Sequence, residues 1–108
     1  GQNSLQPTAT ESSSASQAKA AELISKGKKT IDKMWKDSGI DTIRSVEKKS
    51  EAYYRFIDKS NEFTTTTYPQ TFSRDIAGSK KADIIYELSS YTSERYVKPT
   101  LSRFQSSK

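Results

Sequence analysis

The fold is decided by the stretch KAAELISKGKKTIDKMWKDSG, residues 19–39. Apolar side chains recur in it at the spacing of an α-helix, and lysines fall on the opposite side. Gly39 is the residue type that adopts the left-handed conformation at a helix end, and Ile40 can fold back on the last turn. A first helix is therefore predicted over about 16–38, starting near Ser14 or Ser16. Its apolar stripe consists of Leu23, Ile24, Ile31, Met34 and Trp35, with Gly27 and Ser38 on the same side.

A second helical pattern follows after one connecting residue, Ile40. It covers about 41–63, and Asp41 or Thr42 can cap its first free N–H groups. So short a connection favours two helices folded as an antiparallel hairpin, and one continuous kinked helix is the alternative. The predicted inner face of the second helix consists of Ile43, Val46, Ser50, Tyr53, Tyr54, Ile57 and Asn61.

The segment TTTTYPQTF, residues 64–72, interrupts the helical pattern. Threonine is a poor helix former, and Pro69 disfavours the helical conformation at Tyr68, so an extended loop is predicted. A third helix is expected over about 73–98, starting at Ser73 or Ser79, and Pro99 should kink or end it. Its apolar set is Ile76, Ala77, Ile84, Ile85, Leu88, Tyr91 and Tyr96.

These patterns predict an all-α protein, either a small antiparallel three-helix bundle or a helical hairpin with a third helix. A flexible Ser/Thr-rich, disordered tail is expected over 1–17, a helical domain over 18–98 and a short extension over 99–108. The candidate core consists of Leu23, Ile24, Ile31, Met34, Trp35, Ile43, Val46, Tyr53, Tyr54, Ile57, Ile84, Ile85, Leu88 and Tyr91.

The composition bounds both the core and the charge. Hydrophobic residues make up 31% of the chain and charged residues 29%, so only a modest core can form. We expect a partner or a second copy to cover part of the apolar surface. The net charge of +5 is diluted by acidic residues along the chain, which indicates a solvated basic surface rather than a strong polyanion site.

The sequence lacks most of the residue types that catalysis uses. The chain has no cysteine and no histidine, which removes thiol catalysis, histidine acid–base catalysis and Cys/His metal sites. Glu47 and Glu51 share a helix face, but Lys48 and Arg55 lie beside them, which is typical of a solvated charged surface. We therefore predict no enzyme activity, no catalytic or metal-binding residue and no cofactor.

Several large side chains fall outside the predicted stripes and mark a candidate partner-binding surface. Tyrosine tolerates half-wet boundary positions, so a mere boundary role is the alternative for part of this set. Trp35 is either the largest core residue or an interface anchor. The candidate surface consists of Phe56, Phe63, Tyr86, Val97, Leu101 and Phe104.

The function predicted is that of a non-enzymatic helical interaction protein. It would be an accessory or structural subunit of a larger assembly, or a secreted protein that binds a target protein, its partner being another protein or a second copy. Peripheral binding of a membrane surface through the basic first helix is the first alternative. Weak nucleic-acid binding is the second and less favoured one. The N-terminal residue is Gly rather than Met, which we interpret as a processed mature chain, secreted or imported into an organelle.

Overall fold

A computed structural model describes the backbone of residues 2–106 and the side chains of residues 17–105. Within these residues there is no β-strand, which confirms the all-α prediction. The predicted flexible tail over 1–17 lies, except for Gln17, among residues whose side chains are not described. The first helix begins at Gln2, not near Ser14 or Ser16 as predicted. The helices are α1 (Gln2–Asp37), α2 (Val46–Glu62), α3 (Gly78–Thr92) and α4 (Lys98–Ser106).

Gly39 ends the first helix as predicted. It has a φ of +68°, in the left-handed region that glycine adopts without strain. Ile40 then begins a 3₁₀ turn, Ile40–Thr42, and its side chain is buried against the core. The first two helices are therefore separate, and the alternative of one continuous kinked helix is wrong.

The chain runs up, down and up through three helical rods, the third made of α3 and α4. Near the end of α1 the Trp35 ring lies 5.0 Å from Phe56 of α2, and near its middle Leu23 accepts a hydrogen bond from the Tyr68 hydroxyl beyond α2. α1 and α2 are therefore antiparallel. The third rod returns to the first contact, where Tyr96 stacks on Trp35 at 4.7 Å, so it runs parallel to α1. The antiparallel three-helix bundle is confirmed.

The core agrees with most of the residues predicted for it. Ile31, Trp35, Tyr53, Ile84 and Leu88 are buried. The predicted residues that are half-buried and pack against them are Leu23, Ile24, Met34, Ile43, Ile57 and Tyr91, and Ile85 is half-buried as well. The buried hydrophobic residues that the prediction did not include are Ala20, Ile40, Ala52, Phe56, Tyr68 and Ile76.

The second helix begins later than predicted. Its N-cap is Ser45, whose hydroxyl accepts the N–H of Lys48 at 3.3 Å. The two residues expected to cap it are engaged elsewhere: the Thr42 hydroxyl donates to the Gly39 carbonyl at 2.9 Å, and the Asp41 carboxylate accepts a hydrogen bond from a side chain of α1. Because both side chains turn back toward the end of α1, the prediction of a cap at 41 or 42 is wrong.

The buried side of α2 is rotated from the predicted one by about one residue, a step of about 100°. Ala52, Tyr53 and Phe56 face the core, while Val46 and Tyr54 are 71% and 59% exposed. The assignment of Val46 and Tyr54 to the core is therefore wrong. Its cause is the segment between the 3₁₀ turn and α2, which is not helical, so that Ile43 does not share a helix with the residues after it.

The predicted extended loop at 64–72 is wrong, because helical turns replace most of it. A π-helical turn, Phe63–Thr67, continues α2 and is followed by a 3₁₀ turn, Tyr68–Thr71. The Thr64 hydroxyl donates to the Ser60 carbonyl at 3.0 Å, an arrangement that suits threonine in a helical turn. Tyr68 stays helical before Pro69 because its ring is buried and its hydroxyl is bonded to α1.

Pro99 does not end the third rod. A π-helical turn, Ser93–Val97, joins α3 to α4, and the Lys98 N–H donates across it to the Ser93 carbonyl. The wider turn leaves room where a proline ring would otherwise meet the preceding carbonyl. The segment expected as a C-terminal extension therefore continues as helix to Ser106.

Candidate functional site

The structure divides the predicted partner-binding residues into buried and exposed groups. Phe56 is 2% exposed and lies in the core, so its assignment to the surface is wrong. Its ring contacts two core aromatic rings, which explains why the fold buries it. Tyr86 and Leu101 are exposed, at 76% and 42%. The remaining three, Phe63, Val97 and Phe104, are half-buried against the core.

Tyr86 and Leu101 do not share a site. They are fifteen residues apart on one continuous rod, a rise of about 22 Å. Tyr86 borders a shallow depression with Lys28, Glu87 and Tyr91 in the middle of the bundle. Leu101 lies at the α4 end, beside the start of α2.

Three exposed apolar or aromatic side chains lie on α2 and α4, and we name them the α2–α4 surface: Val46, Tyr54 and Leu101. The Tyr54 ring packs on Tyr53 at 5.3 Å, and the Tyr53 ring packs on Phe104 at 5.5 Å. Tyr53 also donates its hydroxyl to the Val97 carbonyl at 2.7 Å. These contacts fix α4 against the first half of α2, the two helices that carry the exposed side chains.

A cleft with a volume of about 460 Å³ opens next to the α2–α4 surface, and we name it the terminal cleft. Trp35 and Ile40 reach it from the end of α1 and the following turn, and Phe104 reaches it from α4. The indole N–H of Trp35 donates to the Asp41 carboxylate at 3.3 Å, which fixes the ring plane. The complete lining is Trp35, Ile40, Asp41, Val46, Lys49, Ser50, Thr100, Arg103 and Phe104.

The polar groups of the terminal cleft are unevenly satisfied. The Thr100 side chain is buried, and its hydroxyl has no hydrogen-bond partner among the described residues. Lys49 is half-buried and forms no ion pair within that part of the chain. With Lys49 and Arg103 against Asp41, the formal charge of the lining is 2 − 1 = +1.

A separate polar cluster ties α1 to the third rod. The Asp32 carboxylate accepts hydrogen bonds from the hydroxyls of Tyr91, at 2.7 Å, and Tyr96. Arg95 lies 3.5 Å from the same carboxylate oxygen. Burial, followed by the hydrogen bond to Asp32, raises the pKa of Tyr91 to about 12, and the same causes raise the pKa of Tyr96. Because every hydroxyl has its acceptor, we interpret this cluster as structural.

Two further kinds of site were searched for among the described residues. Among residues 17–105 no group of three or more acidic side chains is placed to hold a metal ion. None of the described helices is long and apolar enough to cross a membrane. No family model, no curated protein and no solved structure matches the chain.

Sequence reasoning missed most of the terminal cleft. It identified Phe104 as available to a partner, but it did not connect Phe104 with Lys49, Thr100 or Arg103. One signal was present: an α4 that continues past Pro99 repeats Thr100, Arg103 and Phe104 at helical spacing. The role of Val46 had no such signal, since it depends on the rotation of α2.

Proposed function

We propose that this chain is a non-enzymatic helical interaction protein that binds another protein through the α2–α4 surface. It serves as an accessory or structural subunit of a larger assembly, or as a secreted protein that binds a target. The observation that carries the proposal is the exposure of three large side chains, Val46, Tyr54 and Leu101, on the two helices that the Tyr53–Phe104 contact joins. Large apolar side chains scattered singly are normal on protein surfaces, whereas grouped ones mark interaction sites.

The burial of polar residues elsewhere supports this proposal. Ser60, Thr64 and Thr92 are buried inside the bundle while the α2–α4 surface is exposed to water. The two threonine hydroxyls donate to helix carbonyls, at 3.0 Å in each case, so that their burial is compensated. The three exposed side chains add nothing to the stability of a chain that has few hydrophobic residues. A partner that covers them would remove them from water, which favours binding.

Membrane-surface binding is less well supported. That alternative needs the basic first helix to present both its lysines and its apolar stripe to the bilayer. Ile31 and Trp35 of that stripe are buried in the bundle core. The lysines alone would bind only through charge, and Lys26 and Lys33 are already paired with Glu22 and Asp37 on the same helix.

Nucleic-acid binding has similar difficulties. Acidic neighbours neutralise part of the positive charge along the bundle, as in the ion pairs of Lys28 with Glu87 and of Lys98 with Glu94. Phosphate binding favours an uninterrupted basic stripe. The tyrosines that could stack on bases are divided between the core and two distant surfaces.

The test compares the proteins retained by three immobilised chains. The first is the wild type, attached through its N-terminus, away from α4. The second carries Val46→Glu and Leu101→Glu, and the third carries Tyr86→Glu as a control at an exposed aromatic residue outside the α2–α4 surface. Mass spectrometry identifies the proteins retained from an extract of the source cells. Thermal melts followed by circular dichroism confirm that all three chains fold.

We expect at least one protein that is retained by the wild type and by the Tyr86→Glu chain. The double variant should retain about tenfold less of it, because a charge would be buried at the interface. Equal retention by all three chains would contradict the α2–α4 surface. Flotation with anionic vesicles, or binding of an oligonucleotide that weakens steeply with salt, in the absence of any retained protein, would contradict the interaction function itself.

A further inference from the structure

The third rod is anchored unequally along its length. In α3, the side chains of Ile84 and Leu88 are fully buried in the core. Of the side chains described in α4, only that of Thr100 is buried, and those of Pro99 and Phe104 are half-buried. Because the burial of apolar side chains is what mainly holds a short helix on a bundle, α4 is docked more weakly than α3.

The one buried side chain in the described part of α4 is polar and lacks a hydrogen bond. The Thr100 hydroxyl has no partner among the described residues. Threonine in a helix ordinarily donates to the carbonyl one turn earlier, as Thr92 donates to Leu88 at 3.0 Å. A buried hydroxyl without a partner has lost its hydrogen bonds to water and has gained none in exchange. The docking of α4 therefore carries a penalty, which is relieved when the helix leaves the bundle and the hydroxyl returns to water.

The backbone of the rod is weakest where α4 begins. Up to that point the rod is fixed, because Tyr96 stacks on Trp35 at 4.7 Å and the Val97 carbonyl accepts the Tyr53 hydroxyl at 2.7 Å. Pro99 has no N–H to donate to the preceding turn, so one backbone hydrogen bond is missing there. Helices bend most often at prolines and at π-helical turns. The chain can therefore bend between Val97 and Pro99 without disturbing the contacts that fix the rod.

The space beside α4 is incompletely filled. Thr100 and Phe104 line the terminal cleft from α4, and Trp35 lines it from α1. Its volume of about 460 Å³ is far larger than the few water-sized voids of a well-packed interior. The Phe104 ring contacts the Tyr53 ring edge to face at 5.5 Å, but side chains that border the cleft lack close neighbours on that side. Incomplete packing weakens the docking of α4 further.

We propose that α4 is a lid that opens at the junction of Val97 and Pro99, so that the terminal cleft widens and the Tyr53 ring is uncovered. An isolated helix of nine residues is not stable in water, so the open lid is disordered and refolds as it closes. This inference concerns the chain alone and stands whether or not the α2–α4 surface binds a protein. One consequence rests on the proposed function: opening removes Leu101 from the α2–α4 surface, so a partner that needs this residue would hold the lid closed.

Amide hydrogen exchange of the full chain, followed by NMR, measures the opening. We expect the amides of residues 102–105 to share one protection factor, at least about tenfold below that of Leu88, because the lid opens as a unit. Thr100→Val removes the buried hydroxyl at nearly constant shape and should raise this protection factor at least about fivefold. Thr92→Val is the matched control. Its hydroxyl has an acceptor, so its removal should not raise the protection of α4.

A second pair of variants tests the aromatic anchor of the lid. Phe104→Ala removes the contact with Tyr53 and should lower the protection of residues 102–105 at least about fivefold. Leu101→Ala is the control at an exposed position of the same helix, and it should change the protection less than twofold. Circular dichroism confirms that each variant remains helical.

Three outcomes would overturn the proposal. The first is protection that falls step by step toward Gln105 and does not respond to Thr100→Val, which is the behaviour of a fraying helix end rather than of a lid. The second is protection in α4 equal to that of Leu88, because α4 would then open only when the whole bundle unfolds. The third is an equal gain with Thr100→Val and Thr92→Val, since the gain would then not come from the unpaired hydroxyl.

Discussion

Replacing Gly27 with alanine tests how closely α1 and α3 approach. An alanine Cβ at this position would lie 2.5 and 2.8 Å from the two methyl carbons of Leu88 and 3.2 Å from its Cγ. Carbon atoms in proteins pack best at about 3.5–4.0 Å, so the two helices or the leucine must move by about 1 Å. Leu88 is fully buried, which denies it an open rotamer to move into.

Two opposing terms give the size of the effect. Alanine is favoured over glycine in a helix by about 0.5–1 kcal/mol. Overpacking a closed core costs about 1–3 kcal/mol. We therefore expect Gly27→Ala to lower the free energy of unfolding by up to about 2.5 kcal/mol, and each kcal/mol corresponds to a fall in melting temperature of about 4–8 °C in a chain of this size.

Urea unfolding followed by circular dichroism measures this change against two controls. Gly78→Ala adds a Cβ with nothing within 4 Å, so it should leave stability unchanged or raise it by up to about 1 kcal/mol. Leu88→Val shortens the side chain that would clash, so it should be much less destabilising in the Gly27→Ala background than alone. The reasoning is refuted if Gly27→Ala stabilises the chain as Gly78→Ala does, or if Leu88→Val is equally destabilising in both backgrounds.

Three further predictions concern the cap, the core and the tyrosine cluster. Ser45→Ala should lower the unfolding free energy by about 1 kcal/mol and Thr42→Ala by less, and equal losses in urea unfolding would contradict the cap. Phe56→Ala should lower it by about 3–5 kcal/mol and Tyr54→Ala by less than about 0.5 kcal/mol; the reverse order would contradict the rotation of α2. Since burial raises the pKa of Tyr91 from about 10 to about 12, the folded state holds this proton longer, and its stability should fall as the pH rises through that window. Urea unfolding at several pH values should show a shallower fall in Tyr91→Phe, and an unchanged slope would exclude Tyr91 as its cause.

The first helix could be predicted because local signals agree there. Helical spacing of the apolar residues from Leu23 to Trp35, a single glycine with a positive φ and the folding back of Ile40 all point to the same structure. These signals need no knowledge of the rest of the chain. Gly27 lies on the same stripe, at the place where α1 comes close to Leu88 of α3.

The second helix could not be predicted in detail because it carries two overlapping apolar stripes. One runs through Val46, Tyr54 and Ile57, and the other through Ala52 and Phe56. Periodicity alone does not choose between them. The choice depends on tertiary contacts: Phe56 meets aromatic rings from both other rods, whereas the Tyr54 hydroxyl can stay in water. The terminal cleft depends on the same choice of buried side, so it could not be predicted from the sequence either.

The threonine segment and Pro99 show where residue preferences fail to predict the structure. Rules for Thr and Pro describe the average residue in an isolated helix, and they predicted breaks at both places. A π-helical turn accommodates each of them, Phe63–Thr67 at the first and Ser93–Val97 at the second. Such turns widen the backbone at a local cost that only packing can offset, as the bond from the Tyr68 hydroxyl to α1 does.

Under the proposed function, the rotation of α2 separates the residues for stability from the residues for binding along one helix. The side that carries Phe56 holds the bundle together, and the side that carries Val46 and Tyr54 faces water and adds little to the fold. A surface that evolves under selection for binding can therefore change without loss of the core, provided that the Ser45 cap and the contact of Tyr53 with Phe104 stay in place. Substitutions on the outer side should alter partner affinity at constant unfolding free energy. Any that lower both together would show that the α2–α4 surface is part of the fold rather than a site.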